Sequence, residues 1–133
     1  MTLLAGTMGT MERDDVETWI AGYEAAWRTG GTERLTEIFT PDCSYLPSPW
    51  SEPLRGIGEL APFWEGERDS PDEAFAMGTE IVAVDGDTAV VRVEVNYRVG
   101  RDWRDLWVIR FAPDGRCVAF EEWPFAPGQP DGH

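Results

Sequence analysis

The alternation of side chains within residues 88–111 constrains the fold of this sequence more than any other feature. In "TAVVRVEVNYRVG" one row is apolar, with Val91, Val93, Val95 and Tyr97. The other row is polar, with Arg92, Glu94, Asn96 and Arg98. "RDWRDLWVIRF" alternates as well, and one of its rows holds Trp103, Asp105, Trp107, Ile109 and Phe111. Its other row holds Arg104, Leu106, Val108 and Arg110. Because neighbouring side chains of a strand point to opposite faces, both segments are predicted to form strands of a one-sided sheet.

Turn residues mark the ends of these strands. Asp85-Gly86-Asp87 follows "AFAMGTEIVAV", and Pro113-Asp114-Gly115 precedes "RCVAFEEWPFA". Both clusters are typical of hairpin connections. We therefore expect four antiparallel strands joined by tight turns between residues 74 and 126.

Helical periodicity dominates the first half of the sequence. In "RDDVETWIAGYEAAWRTGG" the aromatic residues recur every four positions, as Trp19, Tyr23 and Trp27. This spacing predicts a helix with one apolar face, with Asp14 or Asp15 as its N-cap and Gly30/Gly31 as its end. A second short helix is expected in "GTERLTEIFTPD", with Leu35, Ile38 and Phe39 facing inward. We expect Thr32 to cap it and Pro41 to end it.

The segment between residues 43 and 69 is punctuated by proline. "CSYL" is expected to form one strand, and the three prolines of "PSPWSEPLRG" predict a loop without regular structure. "GIGELAPFWEGERD" is expected to form a third helix that is either short or begins near Ala61, since Pro62 stands in its middle.

This order of elements predicts an α+β fold, in which a curved sheet carries about three helices on its concave face and encloses a cone-shaped pocket. We expect one domain over residues 13–126, a flexible leader over 1–12 and a flexible tail over 127–133.

Composition narrows the classes of function. The chain has 25 acidic and 11 basic residues, a net charge of −14, and all of its basic residues are arginines. Such a chain is expected to repel nucleic acid and anionic membranes.

The single histidine is the last residue, His133, so a Ser-His-Asp site or a typical catalytic zinc site is not expected. We expect no cofactor and no metal. With two cysteines and no secretory signal, the chain is expected to be cytoplasmic.

Several motifs together resemble one known superfamily. "YEAAWRTGG", "LTEIFTPDCSY", "PLRGIGEL" and "DLWVIRFAPDGRCVAFEEW" resemble the SnoaL-like branch of the nuclear transport factor 2-like superfamily over residues 14–126. This resemblance implies a cone-shaped α+β barrel with a pocket for a small apolar molecule, and a homodimer formed through the sheet. The superfamily contains isomerases, polyketide cyclases, epoxide hydrolases and dehydratases, but also binding domains without chemistry.

The resemblance can be carried over residue by residue. Tyr23 matches the tyrosine that donates a hydrogen bond in ketosteroid isomerases, whereas their general base falls on Pro47 and their second donor on Trp107. Steroid isomerisation by that mechanism is therefore not expected. "FEEW" resembles a catalytic stretch of the epoxide hydrolases, with Glu122 in the place of their acid, but their Arg-Asp pair has no match here.

The same register decides which glutamate of "AFEEWPF" faces the pocket. Alternation alone leaves Glu121 and Glu122 equivalent, and the resemblance turns Glu122 inward. The residues expected to be catalytic are Glu122, Asp105 and Tyr23. The residues expected to bind a ligand are Trp19, Trp27, Trp64, Val95, Tyr97, Trp103, Trp107, Ile109 and Phe120.

Each of these roles has a structural alternative. Glu122 would instead pair with an arginine or cap a backbone group, and Asp105 would pair with Arg101 or Arg104 at the edge of the sheet. Tyr23 would be plain core. Trp103 and Trp107 would form a dimer contact.

Four functions follow from these residues. The first is acid–base chemistry on an apolar substrate, namely cyclisation, isomerisation or dehydration after proton abstraction next to a carbonyl. The second is non-catalytic ligand binding or dimerisation, and the third is an epoxide hydrolase-like reaction, as the resemblance implies. The fourth is a protein–protein module, which would show a wide apolar patch.

Overall fold

The computed structural model of the protein describes residues 10–68, 74–98 and 100–129. Most of the expected leader and the end of the expected tail, including His133, lie outside the described residues. The elements within these ranges are α1 Arg13–Arg28, α2 Leu35–Ile38, β1 Phe39–Leu46, β2 Leu54–Arg55, α3 Gly56–Glu67, β3 Phe75–Asp85, β4 Thr88–Tyr97, β5 Asp102–Phe111 and β6 Cys117–Phe125.

The described strands form one curved, unclosed sheet of six strands in the order β2-β1-β6-β5-β4-β3. β1 runs parallel to β6, and the other neighbours are antiparallel. The predicted α+β class and the four antiparallel strands of the second half are confirmed. The β3–β4 and β5–β6 hairpins turn at the predicted residues, and Gly86 adopts the positive φ of 62° that the β3–β4 turn requires.

The core lies between α1 and the concave face of the sheet. Trp19 is 4% exposed and packs edge-on against Phe39, Trp107 and Phe111 at ring distances of 5.8, 6.4 and 5.9 Å. Its indole N–H donates to the Ile38 carbonyl at 2.8 Å, which ties α1 to the end of α2. The aromatic face of α1 predicted from the four-residue spacing therefore faces the sheet.

The caps of α1 differ from the prediction. The N-cap is Glu12, not Asp14 or Asp15, and its backbone N–H donates to the Asp15 carboxylate at 3.0 Å. Both aspartates lie in the first turn, where negative charge is favourable to the helix dipole. The helix ends at Arg28.

The second helix is a single turn, so the expectation that Pro41 ends it is wrong. Its N-cap is Arg34 rather than Thr32, and the chain becomes extended at Phe39. Pro41 lies inside β1 in an exposed position. The register of β1 against β6 shifts between Phe39 and Ser44, so the missing N–H of Pro41 falls outside the regular ladder.

Two further expectations about proline are wrong. Within the loop expected to lack regular structure, Leu54–Arg55 forms β2 and pairs with Ser44 and Tyr45 of β1. The third helix runs from Gly56 to Glu67 and passes through Pro62. Pro62 and Gly58, the residue one turn before it, are both exposed, so water can hydrate the carbonyl that the proline leaves unpaired.

Candidate active site

A cavity of about 370 Å³ lies between α1, α3 and the concave face of the sheet. Its wall is mostly apolar and aromatic, and includes Trp27, Phe63, Met77, Val95 and Trp103. A pocket of this size and character suits a small molecule that is largely apolar. Polar groups enter the wall from several elements, namely Asp105 of β5, Glu122 of β6, Tyr45 of β1, Tyr97 of β4, Tyr23 of α1, Glu67 of α3 and the loop residues Ser48, Ser51 and Arg101.

Two carboxyl groups face this cavity from neighbouring strands. Asp105 pairs in register with Pro124, and Glu122 with Trp107, so all four side chains point to the inner face. Asp105 is 8% exposed, and Glu122 is half-buried with its carboxyl on the cavity wall.

Glu121, one residue away, points to the outer face, where it accepts a hydrogen bond of 2.6 Å from the Trp123 indole N–H. Asp105 and its neighbour Arg104 point to opposite faces of the sheet. Arg104 forms an ion pair with Glu94 at 3.3 Å on the outer face. The ion pair between Asp105 and Arg104, one alternative role for this aspartate, is therefore not formed.

The two carboxyls perturb each other. Burial raises the pKa of Glu122 well above its ordinary 4.5, and the hydrogen bond to Asp105 and the negative charge of that residue raise it further. Burial also raises the pKa of Asp105, but the hydrogen bond from Glu122 opposes this rise. The pair is therefore expected to hold one proton, carried by Glu122, while Asp105 is ionised.

Two tyrosines extend this group of polar side chains. The Tyr45 hydroxyl donates to Glu122 Oε1 at 3.4 Å, and Tyr23 lies beside Tyr45 on the cavity wall. The Tyr23 and Tyr45 rings stack on Phe120 at 5.8 and 4.8 Å, with interplanar angles of 14° and 16°. Burial is the main cause that raises the pKa of both hydroxyls well above 10, so both remain neutral donors.

Tyr45 was not among the residues predicted for the site. The signal for it was present, because Tyr45 lies two residues after the buried Cys43 in a predicted strand and so shares its face.

The predicted ligand-binding residues fall into two groups. Trp27, Val95, Tyr97, Trp103 and Trp107 lie on the cavity wall, and the Trp27 indole donates to the Tyr97 hydroxyl at 3.0 Å. Four others lie in the packed core away from this wall, because neighbouring rings and strands cover them: Trp19, Trp64, Ile109 and Phe120.

Pro47 lines the cavity. It therefore occupies the wall at the point where the resemblance placed a general base, but it brings no titratable group there. The carboxyls of this cavity come from β5 and β6 instead.

No group of three or more His, Cys, Asp or Glu side chains in the described part of the chain is arranged to hold a metal ion. Among the helices described here, none combines the length and the apolar character needed to cross a lipid bilayer.

Comparisons with known proteins agree with this geometry. The curved sheet and its cavity define the nuclear transport factor 2-like class, and the family model of the SnoaL-like domain matches residues 16–120, so the chain belongs to the SnoaL-like domain family. None of the curated proteins matches the sequence significantly.

Solved structures with this fold include proteins of different activities. A steroid delta-isomerase from Pseudomonas aeruginosa aligns over 86% of this chain and 82% of its own, with 21% identity and a TM-score of 0.63. A nuclear transport factor 2-like protein of unknown function from Burkholderia xenovorans aligns over 92% and 91%, with 16% identity and a TM-score of 0.69. SalBIII, an epoxide hydrolase/cyclase-like enzyme in salinomycin pyran ring formation, aligns over 86% and 93%, with 11% identity and a TM-score of 0.68. At these identities the likeness shows the fold alone.

Proposed function

We propose that this protein is an acid–base enzyme of the cyclase, isomerase or dehydratase type, which acts on a small apolar molecule without a cofactor. The observation that carries this proposal is the Asp105–Glu122 carboxyl pair on the wall of a mostly apolar cavity. An ionised carboxylate is costly to keep in such surroundings, and acid–base catalysis is a function that uses it.

The proposed mechanism uses the single proton of the pair. Asp105 accepts a proton from the substrate as general base, and Glu122 gives its own proton back to the substrate as general acid. The pair then holds one proton again, so a transfer between the two carboxyls restores the starting state. Tyr23, whose raised pKa keeps its hydroxyl protonated, donates a hydrogen bond to a substrate oxygen.

An epoxide hydrolase-like reaction is a second candidate. It is favoured by the position of Glu122 beside the Tyr45 hydroxyl, which could donate to an opening epoxide oxygen. Non-catalytic ligand binding is the third candidate, and it would need the apolar cavity but not the ionised carboxylate.

The opening of 5-nitrobenzisoxazole tests for a base in an apolar cavity. In this reaction a base removes the ring C–H proton, the N–O bond breaks, and a coloured nitrile phenolate forms. We expect the protein to accelerate this reaction above the rate with equimolar acetate. The rate should fall at least about 10²-fold in Asp105→Asn, which is the lower end of the usual contribution of a general base.

Glu121→Gln is the matched control, since it removes a carboxyl from the outer face of the neighbouring strand β6. A rate no higher than that of acetate, or an equal rate in Asp105→Asn, would contradict the proposed base. Binding of the compound without turnover would instead support the non-catalytic alternative.

We further propose a homodimer through the outer face of the sheet. Leu106, Trp123 and Phe125 are 36%, 38% and 52% exposed there, and Leu106 is the register partner of Trp123. Positively and negatively charged side chains lie beside these residues, among them the ion pair Arg104–Glu94. A face with both charges can match a second copy of itself across a two-fold axis.

Sedimentation velocity tests this interface. The wild-type chain is expected to sediment as a dimer and Leu106→Arg as a monomer, because a buried, unpaired charge is costly in an interface. A monomeric wild-type chain would contradict the proposal.

The two cysteines support the proposal of a cytoplasmic setting. Cys43 and Cys117 are buried free thiols, and burial is the main cause that raises the pKa of both. Thiols of this kind are typical of proteins in reducing compartments.

A further inference from the structure

One tryptophan of this protein lies almost entirely in water. Trp50 is 98% exposed, whereas the next most exposed tryptophan, Trp123, is 38% exposed. Removing a ring of this size from water is favourable, and the fold leaves that gain unused at Trp50. Single exposed apolar side chains are common on protein surfaces, so what matters is where Trp50 lies.

The chain on either side of Trp50 lines the cavity. Ser48 and Ser51 are half-buried residues of the cavity wall, and Trp50 is bonded directly to Ser51. Glu67 and Arg101 also line the cavity and are exposed, so the cavity reaches the surface of the protein. Consecutive Cα atoms are about 3.8 Å apart, so the Trp50 side chain begins next to the cavity wall.

The loop that carries Trp50 is stiff. It connects β1 to β2 over residues 47–53, and three of its seven residues are prolines, which fix the backbone angle φ. The Ser51 N–H donates to the Ser48 carbonyl at 3.1 Å, and the two serine hydroxyls are 2.6 Å apart. Pro49 and Trp50 are the central residues of this turn, and proline is favoured at the first of the two positions. The Trp50 ring can therefore move by rotating about its side-chain bonds, while the backbone stays in place.

We propose that Trp50 is a ligand-binding residue, whose ring turns onto the apolar surface of a molecule held in the cavity and covers it from water. The gain is the apolar surface that the ring and the ligand remove from water together. The cost is small, because the loop is already ordered and only two side-chain torsions become fixed. This inference rests on one part of the proposed function, the binding of a small apolar molecule in the cavity, and it does not depend on catalysis.

Fluorine NMR of the full chain tests whether a ligand covers the ring. A chain that contains 5-fluorotryptophan gives one ¹⁹F resonance for each of its seven tryptophans, and the resonance that is missing in Trp50→Phe belongs to Trp50. The probe is 5-nitroindazole, which has the shape of 5-nitrobenzisoxazole but no N–O bond to break. Without the probe, we expect the Trp50 resonance to differ between H₂O and D₂O, as for an indole in water. At a saturating concentration of the probe, the resonance should shift and lose most of this difference.

The affinity of the probe tests whether this contact contributes to binding. In calorimetric titrations, the Kd of 5-nitroindazole should be about tenfold higher for Trp50→Ala than for the wild type, the effect of losing one partly buried aromatic ring. Trp50→Phe keeps a smaller ring and should lose less affinity. Trp123→Ala is the control, since it removes an indole from the outer face of the sheet and should leave the Kd unchanged. Because Trp50 is 98% exposed, Trp50→Ala should unfold in urea like the wild type, so a loss of affinity does not report a loss of folding.

The outcomes distinguish this inference from the proposed function. An unchanged Trp50 resonance at saturating probe, or equal Kd values for Trp50→Ala and the wild type, would overturn the role of Trp50 and leave the cavity as a binding site. A Trp50 resonance that is insensitive to D₂O without the probe would also overturn it, since a second copy of the chain would then cover the ring. No binding of the probe to the wild type would overturn both the inference and the proposed function. Covering of Trp50 without opening of 5-nitrobenzisoxazole would support the inference and contradict the enzyme.

Discussion

Replacing Glu122 with glutamine should change the way in which the stability of the protein depends on pH. The Glu122 side chain is half-buried on the cavity wall, and the neighbours of its carboxyl are the Asp105 carboxyl, the Tyr45 hydroxyl and the indole of Trp107. Burial and the charge of Asp105 favour its protonated form, so its pKa in the folded protein lies well above 4.5. Glutamine has nearly the same shape and cannot ionise.

The sign and size of the effect follow from proton linkage. Between pH 4.5 and the raised pKa, the folded protein holds the Glu122 proton and the unfolded chain does not. Unfolding then releases a proton, and the unfolding free energy falls by about 1.4 kcal/mol for each pH unit in this range. The stabilising contribution of protonated Glu122 is therefore complete below pH 4.5 and is lost as the pH rises through the pKa of the folded state.

Urea unfolding followed by tryptophan fluorescence measures this effect. The difference in unfolding free energy between Glu122→Gln and the wild type should increase with pH in favour of the variant, and then level off above the folded-state pKa. Glu121→Gln, on the outer face of the same strand, should stay parallel to the wild type. Parallel curves for Glu122→Gln and the wild type from about pH 4.5 upward would refute the raised pKa.

Two other substitutions test the packing around the site. Phe120→Ala should lower the unfolding free energy, measured by urea unfolding, by about 3–5 kcal/mol. The reason is that the Phe120 ring is 2% exposed and packs against Tyr23 and Tyr45. A loss under about 1 kcal/mol would contradict this packing. Arg68→Met should cost about 2–3 kcal/mol in the same assay, since its guanidinium donates to the Thr29 and Gly31 carbonyls at 2.9 and 3.0 Å after the end of α1. Unchanged stability would mean that water replaces these bonds.

The sequence predicted most reliably those elements whose side chains face two different environments. β4 and β5 alternate between a buried inner row and a more exposed outer row that carries most of their charged residues, so alternation revealed both their extent and their facing. The aromatic face of α1 was visible for the same reason. The facing of Glu122 was different, since a run of apolar residues on both faces of β6 hides the alternation.

Proline was the main source of error in predicting the fold. Pro41 and Pro62 were expected to end or shorten helices, yet Pro41 lies in β1 and Pro62 lies within α3. In both places the lost hydrogen bond faces solvent or an irregular part of the ladder, and burial of neighbours such as Trp64 stabilises the element. Local rules could not weigh such tertiary contacts.

The candidate site could be predicted only in part. Asp105, Glu122 and Tyr23 were identifiable as polar residues within apolar patterns. The role of Tyr45 depends on the parallel pairing of β1 with β6, which places it opposite Phe120 and next to Glu122. This pairing joins segments far apart in the chain, so no local pattern reports it.

The shared proton of Asp105 and Glu122 can be observed directly by a pH titration of their side-chain carboxyl ¹³C resonances. The structure predicts that Glu122 stays protonated well above pH 4.5, and that the ionisation of each group shifts the resonance of the other. Independent titrations near the ordinary values of 4.5 for Glu122 and 3.8 for Asp105 would contradict the carboxyl pair, and with it the proposed acid–base site.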